Sequence, residues 1–415
     1  EELETLRNQT LVHRIEEEKI DLQSHLAQVV IGVRRSGKST LCFNALEKSG
    51  VKYGYVNFDD ERLEGLQRED LDKVLEVLYK VYGTVEHLFF DEIQNVEAWP
   101  LFVNRLLRQG LHIVLTGSNA KLLSGELATH LTGRHHRIEL FPFSFVDWCH
   151  IHAVELAPLT TKRRGLLARA FDEYLHTGGF PELLTEKNGK EYVGTLVENI
   201  IYQDIRRRFR VNNVPEWTLL THHLLNESPA FVNKEVLRET CGIHSDHTMT
   251  KYLSYLEQTY LISTLSKYSP NSRQRVRNEK YYAIDVAMMD KRVDAFAGAN
   301  MGWRMETIVY LELRRRYSRA GMDVYYFKDR TAEADFVVCD GNRAIAVYQV
   351  CYDLSSEKTR KRELRGCVAG ASASKCNKVF LLTNHERDTL TVEGLTIEVM
   401  PTYEWLTKPQ LDELA

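Results

Sequence analysis

The chain has 415 residues, nearly three times the ~150 of a common single domain, so two to four domains are expected. Its 43% hydrophobic and 27% charged residues exclude a collagen, a disordered tail and a disulfide-stapled miniprotein. The 54 Lys and Arg against 58 Asp and Glu leave a net charge of −4, so any nucleic-acid contact must come from local basic patches. The seven cysteines are odd in number and scattered, with no Cys-x-x-Cys pair, which fits free thiols in a reducing cytoplasm. No apolar run reaches the roughly 18 residues of a membrane span, so no membrane partner is expected. The first residues, Glu1 to Glu18, are charged rather than signal-like, and a start without Met reads as a trimmed end.

In chain order, 27–33 is a short apolar run ending in Gly, the pattern of a buried parallel strand. A helix at 41–48, a strand at 53–58, a helix over 61–82, a strand at 87–90, a helix near 99–109 and a strand at 112–116 follow. Strands alternating with helices predict a parallel sheet with helices on both faces. From about 160 to 210 the pattern is helical. Residues 215–265 carry three short helical stretches, with Ser245 as the N-cap of the one at 246–258, a helix-turn-helix or winged-helix arrangement. Strands return at 280–284, 323–327, 334–338, 344–350 and 378–382, with helices at 302–319 and 355–370, a second α/β unit.

The segment Gly32-Val33-Arg34-Arg35-Ser36-Gly37-Lys38-Ser39-Thr40 contains G-x-x-x-x-G-K-[ST] between a strand and a helix, the context this phosphate cradle requires. Glycines let the backbone fold round phosphates, and loop N–H groups and the helix N-terminus supply positive dipoles. Lys38 is placed to reach β- and γ-phosphates and Ser39 to ligate Mg²⁺. About 50 residues on, an apolar strand ends in Asp91-Glu92. Asp91 is read as orienting Mg²⁺, and Glu92 as the general base that polarises water. Ser118 or Asn119, after the next strand, offers a polar contact to the γ-phosphate or lytic water, Ser118 being preferred.

Together with Phe-Phe-Asp-Glu-Ile-Gln at 89–94, Leu-Thr-Gly-Ser-Asn at 115–119, Leu-Thr-Gly-Arg-His at 131–135 followed by Glu-Leu-Phe-Pro-Phe-Ser-Phe, Gly-Gly-Phe-Pro-Glu at 178–182 and Glu-Ala-Asp-Phe at 333–336, the chain resembles the prokaryotic predicted ATPases of the AAA superfamily. Many of these carry a C-terminal domain of unknown function with a nuclease-like fold. The resemblance implies ATP rather than GTP, which the phosphate loop alone does not separate. It implies that Arg134 completes a neighbour's site as an arginine finger, and therefore a homo-oligomer, a ring such as a hexamer. It also implies four parts: an AAA-type core over 1–150, a helical lid over 151–212 with 178–182 structural, a winged-helix-like segment over 213–272, and a restriction-endonuclease-like α/β domain over 273–415.

Nuclease-like folds of that kind use a Glu on a helix, an Asp on one strand and Glu-x-Lys on the next, with carboxylates holding Mg²⁺. The corresponding positions are Glu306, Asp335 and Gln349-Val350-Cys351. One carboxylate and the cation are thus replaced, which favours a degenerate site, a scaffold or nucleic-acid-binding relic, over an active nuclease. Cys351 reads as a core thiol. Basic clusters stand at 206–210, 273–280 (Arg273, Arg275, Arg277, Lys280), 314–319 and 358–365, the second set forming a candidate basic wing. The partners left open are DNA and a protein client. The readings compared are an ATP-driven remodeller, an ATP-dependent DNA binder or nuclease, and a nucleotide-gated switch or adaptor.

Overall fold

The computed structural model describes residues 2–7, 12–118, 131, 133–184, 189–205, 211, 213–231, 233–269, 279–289, 297–317 and 322–408. Asn119, Arg206, Arg207, Arg208, Arg210, Arg273, Arg275 and Arg277 lie outside them. The chain forms two compact units, Glu1–Pro142 with Gln258–Tyr260, and Phe143–Glu257 with Leu261–Ala415. No helix among the described residues is long and apolar enough to cross a membrane.

The first unit is built on five strands, β1 (Ala27–Ile31), β2 (Tyr53–Asn57), β3 (His87–Asp91), β4 (His112–Gly117) and β5 (His135–Glu139), in the order β2-β3-β4-β1-β5. All four pairings are parallel. Every residue of β1 and β3 is buried, because a parallel strand covered by helices on both faces needs apolar side chains on both. The edge strand β5 escapes the sequence pattern: His-His-Arg-Ile-Glu buries only Ile138. The span 61–82, expected as one helix, is two short 3₁₀ turns, Glu61–Leu63 and Arg68–Asp70, and a helix Leu71–Tyr82. Gly65, at φ +85°, breaks the run in the left-handed region.

The division between the two compact units passes at Pro142. The helix Phe145–Ile151 packs on Thr161–Thr177, with Phe145 against Phe171 and Trp148 against Tyr174. The Phe143 carbonyl accepts from the Tyr174 hydroxyl at 2.7 Å. The segments 151–212, 213–272 and 273–415 all lie mainly in this second unit. Its middle part has the helices Val214–Glu227, Lys234–Cys241 and Asp246–Gln258 and an antiparallel sheet of β6 (Ala230–Phe231), β7 (Ile262–Ser266) and β8 (Glu279–Ala283) in the order β6-β8-β7. A mixed six-stranded sheet follows: β9 (Met322–Lys328), β10 (Glu333–Asp340), β11 (Arg343–Cys351), β12 (Val379–Thr383), β13 (Asp388–Val392) and β14 (Leu395–Pro401), ordered β13-β14-β12-β11-β10-β9. The helices Ala297–Tyr317 and Glu357–Ser374 complete the α/β unit.

In the segment 178–182, Gly178 stands at φ +75°, where a Cβ would meet Asp285 Oδ1 at 2.0 Å. The Gly179 N–H donates to Asp285 Oδ2 at 2.9 Å. These glycines therefore seat a buried carboxyl, whose pKa burial pushes up to about 6. All seven cysteines are free and buried.

Candidate phosphate-loop site and acidic cleft

The phosphate loop leaves the C-terminal end of β1. A Cβ on Gly32 would meet the Leu140 carbonyl oxygen at 2.0 Å, so only glycine fits where the chain passes that strand end. Arg35 and Gly37 are both in the left-handed region, at φ +67° and +88°, and Gly37 caps the helix Lys38–Ser49. That helix has no acidic residue in its first turn, so no side chain of its own offsets the positive end of its dipole. The Lys38 ammonium is buried, donates to the Val33 carbonyl at 3.1 Å and stands 3.8 Å from Glu92 Oε1. Val33 is buried, Arg34 lies 3.6 Å from Asp59, Arg35 is exposed and Thr40 is half-buried. The Ser36 hydroxyl is buried with no hydrogen-bond partner among the described residues.

Asp91 ends β3 and is buried. Its carboxylate accepts from the Thr116 hydroxyl and from Ser39. Burial, and then the charge of Glu92, push its pKa up to about 6. A hydroxyl and a buried, charge-strained carboxylate in contact are a donor set that fits Mg²⁺. Glu92 sits at φ +49°. Its carboxylate accepts from the Ser118 hydroxyl, from Gln94, and from the Ser118 N–H at 3.2 Å. The structure thus joins Glu92 and Ser118, which lie 26 positions apart, and adds Gln94, a residue of the quoted motif without an assigned role.

Arg134 is not brought to this loop within the chain. It is exposed, donates to Asn104 at 3.3 Å, and its carbonyl accepts from the N–H of Ala27. Ala27 opens β1, whereas the loop follows its other end, five residues of strand or roughly 16 Å away.

A residue that the motifs did not single out braces the loop. The Arg14 guanidinium is buried and donates to the Ser36 carbonyl at 3.1 Å and the Phe141 carbonyl at 3.0 Å. Nearby, Glu17 accepts from Lys48 at 2.5 Å and from Asn44 at 3.3 Å. An arginine inside a charged N-terminal stretch carries no local signal of burial.

In the second unit, Glu306, Asp335 and Gln349 converge on a cleft of about 810 Å³. Opposite register of the antiparallel pair β10 and β11 brings the last two together. Asp335 accepts from the Val350 N–H at 2.8 Å, and its own N–H donates to Gln349 Oε1 at 3.3 Å. Burial, and then the charge of Glu306, hold the Asp335 carboxyl well above the usual range. Gln349 Nε2 donates to Glu363 at 2.7 Å, and Tyr282 donates to Glu306 at 2.8 Å.

Lys280 overturns its expected place in a basic wing. It is 4% exposed, and its ammonium lies 2.7 Å from Glu306, 3.0 Å from Glu333 and 3.9 Å from Asp335. On its strand, burial of the next three residues draws it into the core. The described part of the expected basic stretch at 314–319 is paired internally, whereas Lys358, Arg360, Lys361, Arg362 and Arg365 of 358–365 are exposed. Arg315 and Arg316 pair with Glu312, and Arg316 donates to the Trp405 and Leu406 carbonyls at 3.1 Å. Lys361 pairs with Glu357, and Arg362 with Glu363. Cys351 is buried, which pushes its thiol up to about 12.

Residues 24–149 match the AAA domain, residues 168–296 a domain of unknown function (DUF8612), and residues 301–405 a domain of unknown function (DUF4143). The chain is 30% identical over 405 residues to "Uncharacterized protein MJ1544" of Methanocaldococcus jannaschii, covering 93% of this chain and 89% of the other. It belongs to the family of that protein. An uncharacterized protein of Haemophilus influenzae is also 30% identical, over 91% of this chain and 94% of its own. Among solved structures, the Walker-type ATPase PABY2304 of Pyrococcus abyssi aligns at a TM-score of 0.45 with 15% identity, over 68% of this chain and 96% of that one. The five-stranded parallel sheet with its phosphate loop and Asp91-Glu92 lies within the AAA-matched residues, so the first unit is an AAA-type domain.

Proposed function

We propose that the protein is an oligomeric ATPase that binds ATP and Mg²⁺ on residues 32–40 and uses hydrolysis to remodel or switch a client. The observation that carries this reading is the convergence of Lys38, Glu92 and the Ser39–Asp91 pair beside a glycine-bent loop and a helix N-terminus. Lys38 exchanges its bond to the Val33 carbonyl for phosphate oxygens. Ser39 and Asp91 hold Mg²⁺, which when bound offsets phosphate charge. Glu92 takes the proton of the attacking water, held in place by Ser118 and Gln94. Arg134, at the far end of the strands, serves a neighbouring copy, which is why the reading includes a ring. Lys38→Ala is expected to lose ATP binding, and Glu92→Gln to bind ATP without turning it over. Normal turnover in both variants would overturn the assignment.

A second reading, ATP-driven DNA binding, is favoured by one observation: the order helix Val214–Glu227, β6, helix Lys234–Cys241, helix Asp246–Gln258, β7, β8 is the element order of a winged helix. Against it, the helix Asp246–Gln258 carries a single Lys, Lys251, and Lys280 is buried rather than displayed. ATP turnover unchanged by duplex DNA, with no shift of a labelled duplex, would eliminate this reading. The C-terminal strands and helices are read as a nuclease-like scaffold without cleavage activity.

A further inference from the structure

The nuclease-like resemblance implies a divalent cation between Glu306, Asp335 and residue 349. The residues present do not fit one, and we infer that the cleft of the second unit takes no divalent metal, the Lys280 ammonium being its resident cation.

The first ground is position. Lys280 Nζ lies 2.7 Å from Glu306 Oε1, 3.0 Å from Glu333 Oε1 and 3.9 Å from Asp335 Oδ1. The ammonium thus stands at the point where three carboxylates meet. An ion held at roughly 2.0–2.6 Å from those oxygens would overlap it.

The second ground is that the ammonium is held there. Lys280 is on β8, the central strand of its sheet, paired with Phe231 on one side and Leu265 on the other. The Phe231 ring lies 5.1 Å from the ammonium and the Tyr282 ring 5.8 Å, so aromatic faces close the sides that the carboxylates leave. Withdrawing it would leave three carboxylates converging in a buried cluster.

The third ground is the donor set. Gln349 already uses both ends of its amide, accepting from the Asp335 N–H and donating to Glu363. Its oxygen is wedged as well: a Cβ on Gly366 would come within 3.0 Å of it. Glu363 pairs with Arg362 at 2.5 Å, and Glu333 with Lys328 at 2.9 Å. Four carboxylates (Glu306, Glu333, Asp335, Glu363) therefore face three cations (Lys280, Lys328, Arg362). One surplus negative charge is too little to strip the water from a divalent ion. Among the described residues no group of three His, Cys, Asp or Glu is placed to hold a metal.

Gln349 and Cys351, where the resemblance implies Glu and Lys, and the placement of Lys280 then form one arrangement. A strand outside the six-stranded sheet delivers a fixed cation, and the cleft keeps its carboxylates without acquiring a metal-activated hydroxide. It would receive a ligand through hydrogen bonds and side-chain charge alone.

Mn²⁺ binding to the full chain without nucleotide, read by electron paramagnetic resonance, tests this directly. Wild type and Asp335→Asn are expected to bind the same amount. Lys280→Met, which keeps the length of the stem and removes the ammonium, is expected to gain one equivalent bound at least tenfold tighter. That equivalent should disappear in Lys280→Met with Asp335→Asn, and Mn²⁺ should raise the melting temperature of Lys280→Met but not of wild type. An equivalent bound by wild type and lost in Asp335→Asn would overturn the inference. So would a folded Lys280→Met that gains none. If Lys280→Met does not fold, the wild-type and Asp335→Asn comparison decides alone. The readout needs no nucleotide, so failure of the ATPase assignment would leave it untouched.

Discussion

Two buried lysines, Lys38 and Lys280, stand beside carboxylates in the described residues, and their surroundings separate what the two sites can do. Lys38 is 3.8 Å from Glu92, and it donates to the Val33 carbonyl of its own loop. A phosphate can replace that carbonyl, because the loop backbone and the helix N-terminus present further N–H groups on the same side. Lys280 is 2.7 and 3.0 Å from two carboxylates, on the central strand of a sheet and between aromatic rings. Nothing entering the cleft offers it more than it already has. The same pair of residue types therefore makes a site open to an anionic ligand in one unit and a self-neutralised site in the other.

The largest expected effect breaks the comparison at the first site. Glu92→Gln should lower the ATP turnover rate by about 10²–10⁴ while leaving ATP binding measurable, as expected for loss of a general base. Turnover within a few-fold of wild type would mean that the carboxylate held by Ser118 is not the base.

At the second site, Lys280→Ala should destabilise its unit by about 3–5 kcal/mol, the cost of leaving buried charges without their partner. Chemical denaturation followed by a probe in that unit measures this. A cost below 1 kcal/mol would show that the carboxylates find water or another cation, and would erase the difference between the sites.

Arg14→Met is expected to cost about 2–4 kcal/mol through two lost charge-assisted hydrogen bonds, and to weaken nucleotide binding, because the Ser36 carbonyl belongs to the loop. Calorimetric titration with an ATP analogue separates the two effects. Lost stability with unchanged affinity would make Arg14 a brace of the N-terminal segment alone.

The smallest effect is one of pH. Asp91 is raised to about 6, so its ionisation works against the folded state without nucleotide, and that cost is absent at low pH and grows as the pH rises from about 4 to about 6. A cation needs the ionised form. Mg²⁺-dependent ATP affinity should therefore increase as the pH rises to about 6 and then level off. Affinity independent of pH between 5 and 7 would remove Asp91 from the metal site.

Much of the first unit was readable residue by residue. Its central strands are apolar runs because both faces are covered, and its phosphate loop is a contiguous motif whose glycines answer local needs. Asp91, Glu92 and Ser118 were legible as strand ends. β5 was not, since an edge strand may be polar along most of its length (only Ile138 is buried). β13, with no fully buried residue, escaped for the same reason.

The amino-acid sequence by itself determined the phosphate loop, the carboxylate pair and the alternation that makes a parallel sheet. These depend on neighbours a few residues apart and on the period of the backbone. Tertiary structure alone decided where the charges go. Arg316 and Lys280 look in the sequence like members of solvated basic runs, and Arg14 like part of a charged N-terminal stretch, yet each is buried against partners dozens of positions away. Whether a lysine is displayed or enclosed depends on which carboxylates the fold brings within about 3 Å, and chain separation carries no record of that distance.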